Sequence, residues 1–322
     1  MTERRRRRRG ENLMVPEASF ESYYGRPILQ EPTWSATDIA GYLFLGGLAG
    51  GSSVLAAGAA FAKLPGLARV ARLGAAGAIS LSLAALVHDL GRPARFINML
   101  RVAKPTSPMS VGTWVLTGYA PMALAGAGIE LTGWMPWAAP ATTAGTALLG
   151  PVVAAYTAVL IGDTAVPAWH EPHCELPFVF VGSAASAAGG LGLLLAPTSE
   201  SGPARRLALI GAVAETVATH RMHGAAGLAD ECYRKGRAGT LMKGAKALTL
   251  AGSALAVAGH RAPVLGRIGG AALVAASLCT RFGIFAAGVE STRDPRYVVQ
   301  PQRARAQAEA TAEGRSTSRD PA

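Results

Sequence analysis

Residues 88–114 read HDLGRPARFINMLRVAKPTSPMSVGTW and separate two long apolar runs. A loop that merely joins two membrane helices can be short and nondescript. This one holds the pair His88-Asp89, Arg92 and Arg95 around Pro93, the amide Asn98, and two further prolines. Proline fixes its own φ and restrains the residue before it, so Lys104-Pro105 and Ser107-Pro108 predict a shaped loop. A shaped, polar, cationic segment at a membrane surface is a place where something docks.

The runs on either side fix the class. Half of the 322 residues are hydrophobic and 16% are charged, against about 25% charged in soluble domains. Counting roughly 20 apolar residues per crossing, the sequence predicts an all-α, polytopic membrane protein. Its eight transmembrane helices fall at residues 38–62, 68–87, 111–131, 141–161, 176–196, 207–219, 245–258 and 268–289. The sixth and seventh are short and need their flanks to cross. This divides the chain into a basic, mostly polar segment 1–33, a membrane domain 34–290 and a disordered tail 291–322 rich in Arg, Ala, Glu and Ser.

The net charge of +11 does not indicate nucleic acid, because the charges sit between and beyond the apolar segments. An even number of spans puts both termini on one side. The opposite loops hold only Lys63, Arg69, Arg72, Arg205, Arg206, Arg261 and Arg267, seven of 31 basic residues. The other 24 place both termini, the 88–110 loop and the 220–244 loop in the cytoplasm by the positive-inside rule. Arg4 to Arg9 are followed by no apolar stretch, so they read as a tail facing anionic lipid and not as an export signal.

Cys174, Cys232 and Cys279 lie far apart. They cannot hold a four-cysteine cluster and imply no disulfide framework. His220 and His223 invite a haem reading, but five of six histidines lie at helix ends or in loops on one side. The expectation is no haem or iron–sulfur cluster of the chain's own. Gly46, Gly47, Gly50 and Gly51 form overlapping GxxxG patterns for close helix packing. Pro121 and Pro151 should kink the third and fourth spans.

Polar residues gather in one shallow layer. Trp34, Asp38 and Tyr42 share a face of the first span at i, i+4, i+8. His88 ends the second span, Ser110 and Trp114 open the third, and Tyr156 and Asp163 end the fourth. At ~1.5 Å per residue these fall within roughly 10 Å of the cytoplasmic interface. Singly each has an ordinary explanation: interfacial aromatic belts, a helix cap by Ser35 or Thr37, or a favourable helix dipole. Together, on four helices, they suit a quinone, with aromatic walls, donors for two carbonyls and groups that move protons. Glu215 and Arg281 lie deeper, on helices running the same way. They read as an intramembrane ion pair, either a neutralised structural pair or a station for proton passage.

Four stretches then resemble the polysulfide reductase/NrfD membrane anchors. They are SYYGRPILQEPTW with YLFLGGLAGG; HDLGRPARFINML with SPMSVGTW; YTAVLIGDTAVPAWHEPHCELPFVFVGSA; and RFGIFAAG. The resemblance covers residues 22–291 in the family's order. It implies an eight-helix anchor that binds a quinone, usually menaquinone. Such an anchor docks a ferredoxin-like iron–sulfur subunit, which docks a molybdopterin-type catalytic subunit. It also implies quinone contacts at the Trp34–Asp38 region and at Tyr156. Cytoplasmic partners would fit an enzyme such as a formate dehydrogenase as well as a polysulfide reductase. On the basic face, Arg92, Arg95, Arg101, Lys104, Arg234, Lys235 and Arg237 are the expected docking residues. An ion- or proton-translocating subunit using Glu215 and Arg281, and a purely structural anchor, are the competing readings.

Overall fold

A computed structural model describes residues 28–91 and 94–304. Among them every regular element is helical: α1 Ala36–Phe61, α2 Pro65–Asp89, α3 Ala94–Met99, α4 Pro108–Thr132, α5 Ala139–Gly162, α6 Pro167–His170, α7 Leu176–Leu195, α8 Gly202–Ala225, α9 Asp230–Arg234, α10 Gly236–Ala258 and α11 Pro263–Arg293. Arg4 to Arg9, Ser22 to Pro27, Arg92 and the residues after 304 lie outside the described residues.

Each of the eight expected spans is a helix of 20 residues or more. Six of these, α1, α2, α5, α7, α10 and α11, are long and apolar enough to cross a membrane. The other two fall short by composition. In α4, Gly, Ser, Thr and Pro121 dilute the apolar residues, and Glu130 stands near its end. In α8, Arg205, Arg206, Glu215 and Arg221 do the same.

Local chemistry sets the helix ends. Ser35 caps α1, its Oγ accepting from the Asp38 amide at 3.3 Å. Proline stands at the starts of α2, α4 and α11, where its missing N–H costs nothing. Lys63 adopts φ 57° in the turn 62–64, and Gly133 stops α4 at φ 68°. Both α4 and α5 remain helical through Pro121 and Pro151.

The long helices alternate in direction because their connections on one face are brief: 62–64, 133–138, 196–201 and 259–262. On the other face the connections are longer and carry α3, α6 and α9. Glu31 and Arg293 pair at 2.7 Å there, so the start of α1 and the end of α11 share that face, called here the terminus face.

Helix α1 is central. It packs on α2, α5, α7 and α11, while α7 packs on α8 and α10 on α11. Where α1 crosses α5, Gly50 and Gly150 face each other. A Cβ on either would collide with the other's carbonyl oxygen, so this is contact of backbone on backbone. Buried hydroxyls are tied between helices, Ser53 with Tyr119 at 2.7 Å and Ser183 with Ser277 at 2.8 Å. Such bonds spare polar groups from lipid and hold helix pairs together.

The expected tail begins later than residue 290. Helix α11 runs to Arg293, and residues 296–304 are helical. Tyr297 is buried in the main core cluster with Cys232 and Tyr233 of α9. Arg296 pairs with Glu231 at 2.9 Å. One aromatic and one arginine in an otherwise polar segment dock it on the terminus face.

Candidate functional site

A cavity of about 230 Å³ lies between the terminus-side ends of α1, α2, α4 and α5, with α3 closing one side. Ile39, Leu86, Leu116 and Leu160 line it with hydrocarbon, and Trp34, Tyr42 and Tyr156 bring rings. Asp89 and Arg95 supply the charge. The segment before α1 positions Trp34, which stacks on Trp169 with ring centroids 6.1 Å apart. Trp169 is itself fully buried and donates through Nε1 to the Ile284 carbonyl at 2.8 Å. The indole at the cavity is therefore backed by a ring fixed to α11.

Tyr156 is the most telling side chain. It is 8% exposed, and its Oη has no hydrogen-bond partner. Buried polar atoms are nearly always paired, so an orphaned phenol lining a cavity points to something that pairs with it. The ring has room because residue 112 is glycine. A Cβ there would run into the Tyr156 ring. The volume admits an organic group larger than benzene, which a cavity of ~150 Å³ holds.

Asp38 and His88 stand beside the cavity and outside its lining. Asp38 Oδ2 lies 2.9 Å from His88 Nδ1, and the His88 side chain is 80% exposed. The Ser35 amide donates to Asp89 Oδ1 at 2.9 Å, while Ser35 Oγ caps Asp38. These links fix Asp89 relative to the Asp38–His88 pair. They pass through backbone amides, so they position groups and do not form a continuous proton wire.

Of the residues expected around one layer, the cavity thus unites Trp34, Tyr42 and Tyr156. Trp114 lies outside this lining: half-exposed, it donates through Nε1 to the Val102 carbonyl at 3.1 Å and pins the 90–107 connection. Ser110 helps, accepting from the Lys104 amide and donating to Val102. Asp163 also lies outside it. It caps α5 and faces a separate groove with His170, Glu171 and Tyr297. Depth was legible from the sequence, but the direction of a side chain around its helix depends on which helix packs behind it. Asp89, which ends the second span beside His88 in the same motif, lines the cavity while His88 does not.

The basic face is also rearranged. Arg95 lines the cavity and donates to the Leu90 carbonyl at 3.1 Å. Arg101 and Lys104 are exposed. Arg234 pairs with Asp230, and Lys235 with Glu231 at 2.8 Å. Lys235, and beyond it Arg296, hold the Glu231 carboxyl below the usual range. Arg237 lines a groove beside Phe282 and Phe285. Much of the positive charge on the 226–235 connection is therefore neutralised locally.

Glu215 and Arg281 are both buried but make no direct ion pair. Glu215 Oε1 accepts from Thr280 at 2.7 Å. Arg281 donates through Nη2 to the Phe180 carbonyl at 2.7 Å and lies 3.8 Å from that ring's centroid. Thr280 and Arg281 are consecutive on α11, so they point about 100° apart. Glu215 meets one while Arg281 turns toward α7 and Gly47 of α1. Arg72 and Glu130 do form an ion pair between long helices, α2 and α4, at 2.5 Å.

A family model described as "Polysulphide reductase, NrfD" matches residues 29–210, more than half of the chain and the whole of the cavity lining. No curated protein matches the chain.

Proposed function

Since the chain belongs to the NrfD polysulphide reductase family, we propose that it is the membrane anchor of a multi-subunit oxidoreductase and exchanges electrons between a partner iron–sulfur subunit and menaquinone. The family supplies membrane subunits of quinone-linked oxidoreductases. The observation that carries the reading further is Tyr156: a buried phenol without a partner, lining a cavity beneath the face where the connections are longest.

A bound quinone accepts or releases two electrons and two protons. Tyr156 Oη, which has no internal partner, would donate to one carbonyl. Trp34 and Tyr42 flank the ring and exclude water. At the polar end, the Arg95 guanidinium favours developing negative charge on the second oxygen, and Asp89 is the group placed to take or give a proton there. The Asp38–His88 pair lies one step outward, with the exposed imidazole in contact with water. An imidazole that is exposed on one side and bonded to Asp38 on the other is placed to pass protons between that layer and solvent. The matching test is the Tyr156 substitution with which the Discussion opens.

On this reading all eight long helices cross the cell membrane as one domain, with Glu215 of α8 buried and Arg206 and Arg221 exposed toward its two ends. Both termini lie in the cytoplasm, from the distribution of basic residues. A carboxyl-terminal fusion to alkaline phosphatase is expected to be inactive and a fusion to green fluorescent protein bright. The reverse pattern would move the partners to the outer face and leave the quinone site untouched.

The partner surface is the exposed part of the 90–107 connection, since Arg234 and Lys235 are already paired. Arg101→Glu with Lys104→Glu is expected to release the iron–sulfur subunit and the molybdopterin-type subunit it carries from membranes, at lower salt than wild type. Exposed charges steer and register partners more than they tighten them, so the loss should be salt-dependent. Retention at wild-type salt tolerance would remove this surface.

A further inference from the structure

The C-terminal half of the bundle holds an ionisable group that quinone exchange leaves unused. Glu215 is 5% exposed, midway along α8. Its Oε1 accepts from Thr280, but Oε2 has no donor. A buried carboxylate oxygen without a donor is unfavourable while charged, and a proton on that oxygen relieves it. Glu215 also borders a groove of about 290 Å³ between α8, α10 and α11, lined by Thr216, Thr219, His220, His223 and Lys246. Glu215, Thr219 and His223 are spaced i, i+4, i+8, so they climb one face of α8 in steps of about 6 Å to its terminus-face end.

We propose that Glu215 is a proton-binding site that exchanges with water on the terminus face through this groove. The proton comes from a hydronium ion: one of its O–H bonds breaks, leaving water, as an O–H bond forms on Oε2, and no oxidation state changes. The groups that face the carboxyl select a proton over a metal cation. Arg281 and Thr280 approach it from α11 and Ser183 from α7, while Lys246 of α10 and His220 and His223 of α8 line the groove that leads to it. Arg281 beside the carboxyl and Lys246 on the groove repel a third cation, whereas a proton bonded to oxygen brings no separate hydrated ion. Arg281 is held by the Phe180 carbonyl and ring, so it stays near without capping Oε2. At the outer end His223 is bonded to Asp230, which leaves an imidazole and a carboxylate at the mouth.

The test uses the purified full chain in lipid nanodiscs. Infrared difference spectra across a pH titration are expected to show a protonated-carboxyl band that is lost in Glu215→Gln. In deuterated buffer the band should shift at once in wild type, and at least tenfold more slowly in Thr219→Leu, which fills the groove without touching the carboxyl. In sealed membrane vesicles of either orientation, a variant with Cys174, Cys232 and Cys279 replaced by Ser and carrying Thr216→Cys should react with a membrane-impermeant maleimide from the terminus face only. A wild-type protein with no such band, a band that survives in Glu215→Gln, unchanged exchange in Thr219→Leu, or labelling from the opposite face alone would each overturn the proposal. If Glu215→Gln fails to assemble, wild-type exchange and the labelling decide.

Discussion

Tyr156→Phe is expected to slow quinone turnover by the assembled complex about tenfold or more, while the catalytic subunit still reduces an artificial dye at the wild-type rate. The substitution removes one oxygen and leaves the ring that Gly112 accommodates, so packing is preserved. A hydrogen bond from a buried donor to a ligand carbonyl is worth about 1–3 kcal/mol when its loss strands the partner, and about 1.4 kcal/mol is a factor of ten in rate. In the chain alone Oη pairs with nothing, so Phe should leave thermal stability unchanged or slightly raised. That separates a ligand contact from a structural one. Asp38→Asn, outside the cavity lining, should change turnover much less. Wild-type quinone kinetics in Tyr156→Phe would place the site elsewhere and reduce the cavity to a gap under an aromatic belt.

The second large effect is on assembly. Gly50→Ala is expected to destabilise the protein by about 1–3 kcal/mol or more, the range for overpacking. The added methyl meets the Gly150 carbonyl, which is backbone and cannot rotate aside. Helices α1 and α5 must then separate, and α1 also carries the contacts to α2, α7 and α11. The same change at Gly58, which has open space around it on the same helix, should be neutral or stabilising by up to ~1 kcal/mol through helix propensity. Thermal stability of both variants, followed by size-exclusion chromatography in detergent, checks the pair. If they melt alike, α1 and α5 do not touch as described.

Some of this was fixed by sequence alone. Hydrocarbon must be buried or face lipid, and backbone amides in lipid must bond within their own segment. Apolar runs of this length therefore become helices whatever surrounds them, and the six helices apolar enough to cross a membrane stand where such runs stand. Caps act over three or four residues, so of the two candidates Ser35 and Thr37 at α1, Ser35 is the one that caps it. Family membership was readable because motifs such as HDLGRPARFINML are contiguous.

Tertiary structure decided what depends on rotation and on distant partners. Trp114 has the right depth for the cavity, yet Val102, twelve residues earlier, holds its indole outside. Arg95 enters the cavity because α3 folds over it, a turn of chain with no periodic signature, and Asp89 at the end of α2 is held there by the Ser35 amide. Glu215 and Arg281 have matching depths, but one residue of offset on α11 sends Arg281 to Phe180 and leaves Thr280 to meet Glu215. Tyr297 converts part of an apparently polar tail into a docked helix by burying one ring. Sequence sets how deep a side chain lies, since rise per residue is constant. Which way it faces is set by the helix packed beside it, and that neighbour can be a hundred residues away.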